Sequence, residues 1–124
     1  MAAAALLACD WGTTNLRTWT LDADGHVLAE REFPLGVSRL APGEAAARFT
    51  SEVRPALHAE ALPAILCGMV GSNLGWTLAP YADCPVNLDD LASHLAQPTG
   101  AADVRIIPGV RSHGFNGQGD VMRG

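Results

Sequence analysis

The sequence predicts a mixed α/β domain, a three-strand antiparallel meander followed by β-α-β units in the same sheet. Three observations carry that prediction. Strand-length runs at residues 6–9, 16–21 and 26–33 follow one another with only tight turns between them. Two short apolar runs, at 64–67 and 104–107, have the wholly hydrophobic character of parallel strands buried on both faces. A helical stretch precedes each of those two runs. The order is therefore β-β-β-α-β-α-β, in a chain of 124 residues, enough for one core.

Each element has its own signal. Residues 4–9 are apolar, and 6–9 read as a buried first strand. Leu6-Leu7-Ala8-Cys9 also resembles a lipoprotein processing box. That reading fails because no charged segment precedes it and the apolar run is at the lower limit for a signal peptide. Residues 16–21 alternate Leu, Arg, Thr, Trp, Thr, Leu, as a half-buried strand does. Asp22-Ala23-Asp24-Gly25 is a hairpin turn leading into strand 26–33. Pro34 to Arg39 is irregular and ends the meander. Pro42-Gly43-Glu44 opens a helix, with Pro and an acid early. It runs to about 58, with Ala47, Phe49, Val53 and Leu57 as its apolar stripe and Pro55 weakening the last turn. Residues 68–85 hold too many Gly and Pro for one regular helix. Residues 88–96 form a second helix, capped by Asn87 or Asp89. Pro108-Gly109 closes the last strand. Residues 111–124 are Gly-rich and polar, and 114–119 read as a mobile loop, since no strand–helix junction frames a phosphate loop there.

Composition removes several function classes. The net charge of −5 argues against non-specific nucleic-acid binding. No apolar run of membrane-spanning length occurs. All eight basic residues are arginines. The absence of lysine excludes a Walker A loop, a eukaryotic-type kinase lysine and a Schiff base within this chain. An Ala- and Arg-rich, Lys-free chain suggests a GC-rich bacterial genome. Cys9, Cys67 and Cys84 are widely spaced and the four histidines are scattered, so zinc-ligand spacing is absent. The cysteines read as small buried thiols in a reducing cytoplasm.

The chemistry concentrates in Asp10-Trp11-Gly12-Thr13-Thr14-Asn15-Leu16-Arg17, the turn between the first two strands. A carboxylate at a strand end can hold Mg²⁺, directly or through water. Gly12 lets backbone N–H groups approach an anion closely. Thr13 and Thr14 add hydroxyl donors. The result is a cradle for phosphate and its metal on a hairpin.

This turn resembles the first phosphate motif, Asp-x-Gly-Thr/Ser, of the actin–hexokinase–heat-shock-protein superfamily. The strand order matches the ribonuclease-H-like half-fold, and that superfamily places the motif in the first hairpin. Further segments narrow the resemblance: Gly36-Val37-Ser38-Arg39-Leu40, Cys67-Gly68-Met69-Val70-Gly71-Ser72-Asn73-Leu74-Gly75-Trp76, Ile106-Ile107-Pro108-Gly109 and Asp120-Val121-Met122-Arg123-Gly124. Together they are similar to the N-terminal half of the 2-dehydro-3-deoxygalactonokinase family of bacterial sugar-acid kinases, over nearly the whole chain.

The resemblance implies transfer of phosphate from ATP, with Mg²⁺, to the 6-hydroxyl of 2-dehydro-3-deoxy-D-galactonate, a step of galactonate breakdown in the cytoplasm. It implies that Asp10 holds Mg²⁺ through water and that Gly12, Thr13, Thr14, Asn15 and Arg17 meet the ATP phosphates. Val37, Ser38, Arg39, Gly71, Ser72, Asn73 and Trp76 are then the sugar-acid site. Asp120 is a candidate catalytic base, with acids beyond this chain as rivals for that role. Residues 1–124 are expected to be the N-terminal domain, with a C-terminal ATP-binding domain outside the chain and little activity without it. The expected partners are the sugar acid, ATP, that second domain and a second copy as a homodimer, with no nucleic acid and no membrane.

Plain structural roles stand beside these. Arg17 or Arg39 can pair with the sugar-acid carboxylate through a bidentate fork, or can be a solvated surface residue. Trp76 offers a flat apolar wall or caps the core. Asn73 meets hydroxyls or caps a helix. His113 reads as idle. Two rival functions remain: a non-catalytic binding module of the same fold, and a polyphosphate hydrolase of the same superfamily.

Overall fold

The computed structural model describes residues 2–113 and 119–122, with residues 113 and 119–122 described as backbone. A five-stranded mixed sheet forms the frame, in the order β3-β2-β1-β4-β6. β1 (Ala4–Trp11), β2 (Leu16–Asp22) and β3 (Val27–Phe33) make the antiparallel meander. β4 (Ala64–Cys67) runs parallel to β1, and β6 (Val104–Ile106) runs parallel to β4. The expected antiparallel meander followed by parallel strands in the same sheet is therefore observed.

Alternation sorts the β1 side chains. Leu7, Cys9 and Trp11 are buried, while Asp10 between them is exposed. The buried face packs against the segment between β3 and β4. There α1 (Glu44–Arg48) passes through a π-helical turn at Phe49–Val53 into α2 (Arg54–Ala56). The wide turn lies immediately N-terminal to Pro55, whose ring lacks an N–H and crowds the preceding turn. The helix thus ends near its expected place but is not regular. Its buried stripe is Ala45, Phe49 and Val53, and Ala47 is exposed. Arg54 is buried beneath it, donating through Nη1 to the carbonyls of Glu60 and Leu62 and through both Nη atoms to the Asp103 carboxylate. This ion pair ties the helix to the start of β6 and holds the Asp103 carboxyl below its usual range.

Three expectations need correction. The second helix, α3 (Leu88–Ala92), stops four residues early. Asn87 caps it, with Asn87 and Asp90 forming a reciprocal capping box. Ala96 cannot stay helical because its N–H and C=O both bond Ile106, in an antiparallel bridge. The last predicted strand ends at Ile106. The Gly-rich end is not only loop: β5 (Ala82–Asp83), β7 (Val110–His113) and β8 (Gly119–Met122) build a second sheet in the order β5-β7-β8. The loop expected at 114–119 lies outside the described residues except for Gly119, which begins β8. The thiols are also graded: Cys9 is buried, Cys67 half-buried and Cys84 exposed. No helix among the described residues is long and apolar enough to cross a membrane.

Candidate functional site

β1 and β4 are adjacent and parallel, so the turns that leave their carboxyl ends lie side by side. Ligands of open α/β sheets sit beyond such ends. The first turn is Gly12–Asn15, closed by Gly12 N–H donating to the Asn15 carbonyl at 2.9 Å. It is anchored by Trp11, whose buried indole donates Nε1–H to the Leu35 carbonyl at 2.7 Å.

Residues 36–39 form a seam along this turn. The N–H of Gly36, Val37 and Ser38 donate to the carbonyls of Thr14, Gly12 and Thr13, each at 3.0 Å. The Ser38 hydroxyl donates to Thr13 O at 2.7 Å, and Arg39 Nε to Thr14 O at 3.1 Å. Three successive carbonyls are thereby satisfied from one side. The N–H groups of Thr13 and Thr14 donate to nothing among the described residues. Approach this close requires glycine at 36: a Cβ there would stand 2.1 Å from the Thr14 carbonyl carbon.

Asp10 lies next to this turn, one residue before the end of β1. Its carboxylate makes no hydrogen bond or ion pair among the described residues. Arg17 is directly across from it on β2, and Cys67 is beside it on β4. Arg17 points its Nε toward Glu32 at 3.9 Å, both side chains about half exposed. Burial, and then the Asp10 carboxylate, push the Cys67 thiol up and keep it protonated. Gly68 follows with φ of 98°, and a Cβ there would come within 2.7 Å of Trp11 O and 3.0 Å of Asp10 Oδ1. An uncommitted carboxylate, two free amides and two exposed hydroxyl side chains suit a hydrated Mg²⁺ and phosphate oxygens.

The second turn, 68–76, spends its polar groups on itself. Gly71 and Ser72 donate their N–H to Gly68 and Met69, Gly75 to Ser72, and Trp76 to Val70. The buried Ser72 hydroxyl donates to Met69 O at 2.6 Å and accepts from Leu74 N–H at 3.2 Å. Gly75 packs so tightly that a Cβ would stand 2.1 Å from Val70 O. Trp76 folds back onto Phe49 and Trp11, with ring centroids 5.7 Å and 6.4 Å away, so it belongs to the core as well as to the turn. Asn73 alone keeps an exposed, uncommitted polar side chain among the expected residues of this turn.

Between the 37–43 segment and the second turn lies a cleft of about 440 Å³. Val37, Ser38, Leu40 and Pro42 form one side, and Asn73, Leu74 and Gly75 the other. The structure thus brings together the hairpin residues with Val37, Ser38 and Arg39, and brings Val37 and Ser38 to Asn73. Gly71, Ser72 and Trp76 stand behind this surface as its support. Asp120 has its backbone on β8, opposite Ser112, and its side chain lies outside the described residues. Leu40 and Pro42, outside the residues expected at the site, also line the cleft, beside Leu74 and Gly75 of the 68–76 segment, and Trp11 joins the β1 turn to the aromatic cluster of Phe49 and Trp76. Trp11 sat in the variable position of the phosphate motif, and its strand alternation was the available signal. A compact Asp22, Asp24 and His26 group occupies the β2–β3 turn at the far end of the sheet, where Asp22 Oδ1 already accepts from the N–H of Asp24 and of His26.

Comparison with known proteins bears on this geometry. A profile of the 2-keto-3-deoxy-galactonokinase family matches residues 10–124. The chain is 41% identical over 120 residues to the 2-dehydro-3-deoxygalactonokinase of Escherichia coli (strain K12), covering 95% of this chain and 39% of that protein. It is 36% identical over 118 residues to a candidate 2-dehydro-3-deoxygalactonokinase of Rhizobium meliloti (strain 1021), covering 94% and 38%. The crystal structure of a candidate 2-dehydro-3-deoxygalactonokinase from Sinorhizobium meliloti superposes with a TM-score of 0.81 at 35% identity, over 96% of this chain and 40% of that one. The chain therefore belongs to the 2-keto-3-deoxy-galactonokinase family, and it spans about two fifths of the length of the curated relatives it matches.

Proposed function

From that membership, we propose that this chain supplies the phosphate hairpin and the acceptor cleft of a 2-dehydro-3-deoxygalactonokinase, which passes phosphate from ATP to the 6-hydroxyl of 2-dehydro-3-deoxy-D-galactonate. The observation that carries this reading is the seam of residues 36–39, because it frees the hairpin amides and walls the cleft at once. In this reading the Thr13 and Thr14 amides and hydroxyls meet phosphate oxygens, with Gly12 and Asn15 shaping the turn. Asp10 holds Mg²⁺ through water, with Arg17 at its side. The metal, when bound, neutralises charge on the phosphates. Val37, Leu40 and Leu74 face the C–H surface of the sugar acid, while Ser38 and Asn73 meet its hydroxyls. Asp120 is the acid proposed to accept the hydroxyl proton, a role that rests on the motif it sits in.

The meander followed by parallel β4 and β6 supports a ribonuclease-H-like domain of the actin-like ATPase kind. The greater length of the relatives supports a second, ATP-binding domain beyond residues 1–124. The free cysteines suit a cytoplasmic enzyme. A coupled ADP-release assay of the full-length enzyme against a panel of sugar acids and neutral sugars tests the proposal. Turnover is expected on 2-dehydro-3-deoxy sugar acids. Turnover on neutral sugars alone, or phosphate release from polyphosphate with no sugar-acid activity, would overturn it.

A further inference from the structure

Two arginines border the hairpin, and the structure treats them differently. Arg17 lies on the sheet face across from Asp10 and leans toward Glu32, which offsets its charge. Arg39 is exposed and stands over the tip of the turn. Its Nε is spent on Thr14 O, and that bond orients the planar fork. Its Nη atoms donate to nothing among the described residues, and it has no carboxylate partner there. The carbonyl that fixes Arg39 belongs to the same residue whose N–H is left free. A guanidinium held in this way adds a full positive charge and up to four donors beside two unpaired amides. Arg39 is also absent from the cleft wall, where its neighbours Val37, Ser38 and Leu40 stand.

Resting on the phosphate reading of the hairpin, we infer that Arg39 is a phosphate-contacting residue, completing an anion cradle with the Thr13 and Thr14 amides, and is not the residue that reads the sugar-acid carboxylate. The ligand class is a polyphosphate chain with its transferring terminal group. Charge that spreads over the equatorial oxygens of that group is what a pre-oriented guanidinium stabilises. Arg39 therefore changes side relative to its expected place in the sugar-acid site, and the seam becomes part of the donor site on one flank and of the acceptor cleft on the other.

The test uses the full-length enzyme and magnesium tripolyphosphate as the probe, followed by ¹⁵N-resolved NMR of backbone amides and arginine Nε groups. The Thr13 and Thr14 amides and Arg39 Nε are expected to shift along one titration curve, with Arg17 Nε as the internal comparison. Arg39→Gln is expected to weaken binding about tenfold, with Arg39→Lys between it and wild type because the charge is kept and the fork lost. If the amides shift while Arg39 Nε stays still and Arg39→Gln binds equally well, the inference falls and the hairpin reading stands. If no hairpin amide shifts, both fall. If Arg39 Nε answers only to D-galactonate, together with Asn73, it belongs to the acceptor and the inference is overturned. The wild-type titration needs no variant to fold, so a misfolded substitution cannot hide the answer.

Discussion

The turns after β1 and β4 have similar compositions and opposite uses. Both hold glycine, a hydroxyl residue and Asn. In the β1 turn the carbonyls of Gly12, Thr13 and Thr14 are satisfied by a separate segment, residues 36–39, and the Thr13 and Thr14 amides remain available. In the β4 turn the donors close onto the turn's own carbonyls, and Ser72 serves as an internal brace. The comparison teaches that a Gly- and Ser/Thr-bearing turn becomes a binding surface only when something outside it occupies its acceptors. Where the donors are spent inside the turn, the same residues make a rigid wall, and function passes to the one side chain left over, here Asn73.

Four substitutions would break or sharpen this contrast in the full-length enzyme. Asp10→Ala should lower kcat by at least about 10²-fold, since positioned charge carries phosphoryl transfer. Near-normal turnover at saturating ATP and Mg²⁺ would remove Asp10 from the site. Gly36→Ala should cost about 1–3 kcal/mol of stability through overpacking, because its Cβ collides with backbone atoms that cannot swing aside. It should also raise KM for ATP in the folded fraction. Urea unfolding and nucleotide kinetics on the same sample check both effects, and an unchanged KM would uncouple the seam from the hairpin.

Asn73→Ala should lower kcat/KM for the sugar acid by about tenfold, with KM for ATP and the melting temperature unchanged. A changed KM for ATP alone would assign the β4 turn to the wrong ligand. Ser72→Ala should show the opposite pattern, a loss of about 1 kcal/mol in stability with unchanged kinetics of the folded protein. A kinetic defect there without destabilisation would mean that Ser72 touches ligand and is no mere brace.

Much of this organisation was legible in local sequence. Apolar runs placed β1, β4 and β6, alternation placed β2, the Asp22-Ala23-Asp24-Gly25 turn placed β3, and Asp10-x-Gly12-Thr13 marked the phosphate turn, because these signals depend on neighbours within a few positions. The α3 boundary was not legible in this way: 88–96 has helical character, but Ala96 is held by Ile106, ten residues on. The strands near the end were hidden for the same reason, since β7 pairs with β5, far back in a breaker-rich stretch.

By itself, then, the sequence determined the chain order of the five strands of the main sheet, the position of Asp10 at a strand end and the family resemblance, all of which follow from periodicity and short motifs. Only the tertiary structure decided which polar groups remain free. Thr13, Ser38, Ser72 and Asn73 are chemically similar candidates in the sequence. Their roles separate because a donor committed to a backbone carbonyl is no longer available to a ligand: the Ser72 hydroxyl is spent inside its own turn, the Ser38 hydroxyl donates to Thr13 across segments and keeps only its lone pairs for a ligand, and Asn73 is uncommitted. The same holds for Arg17 and Arg39, distinguished by a carboxylate on β3 and a carbonyl in the β1 turn.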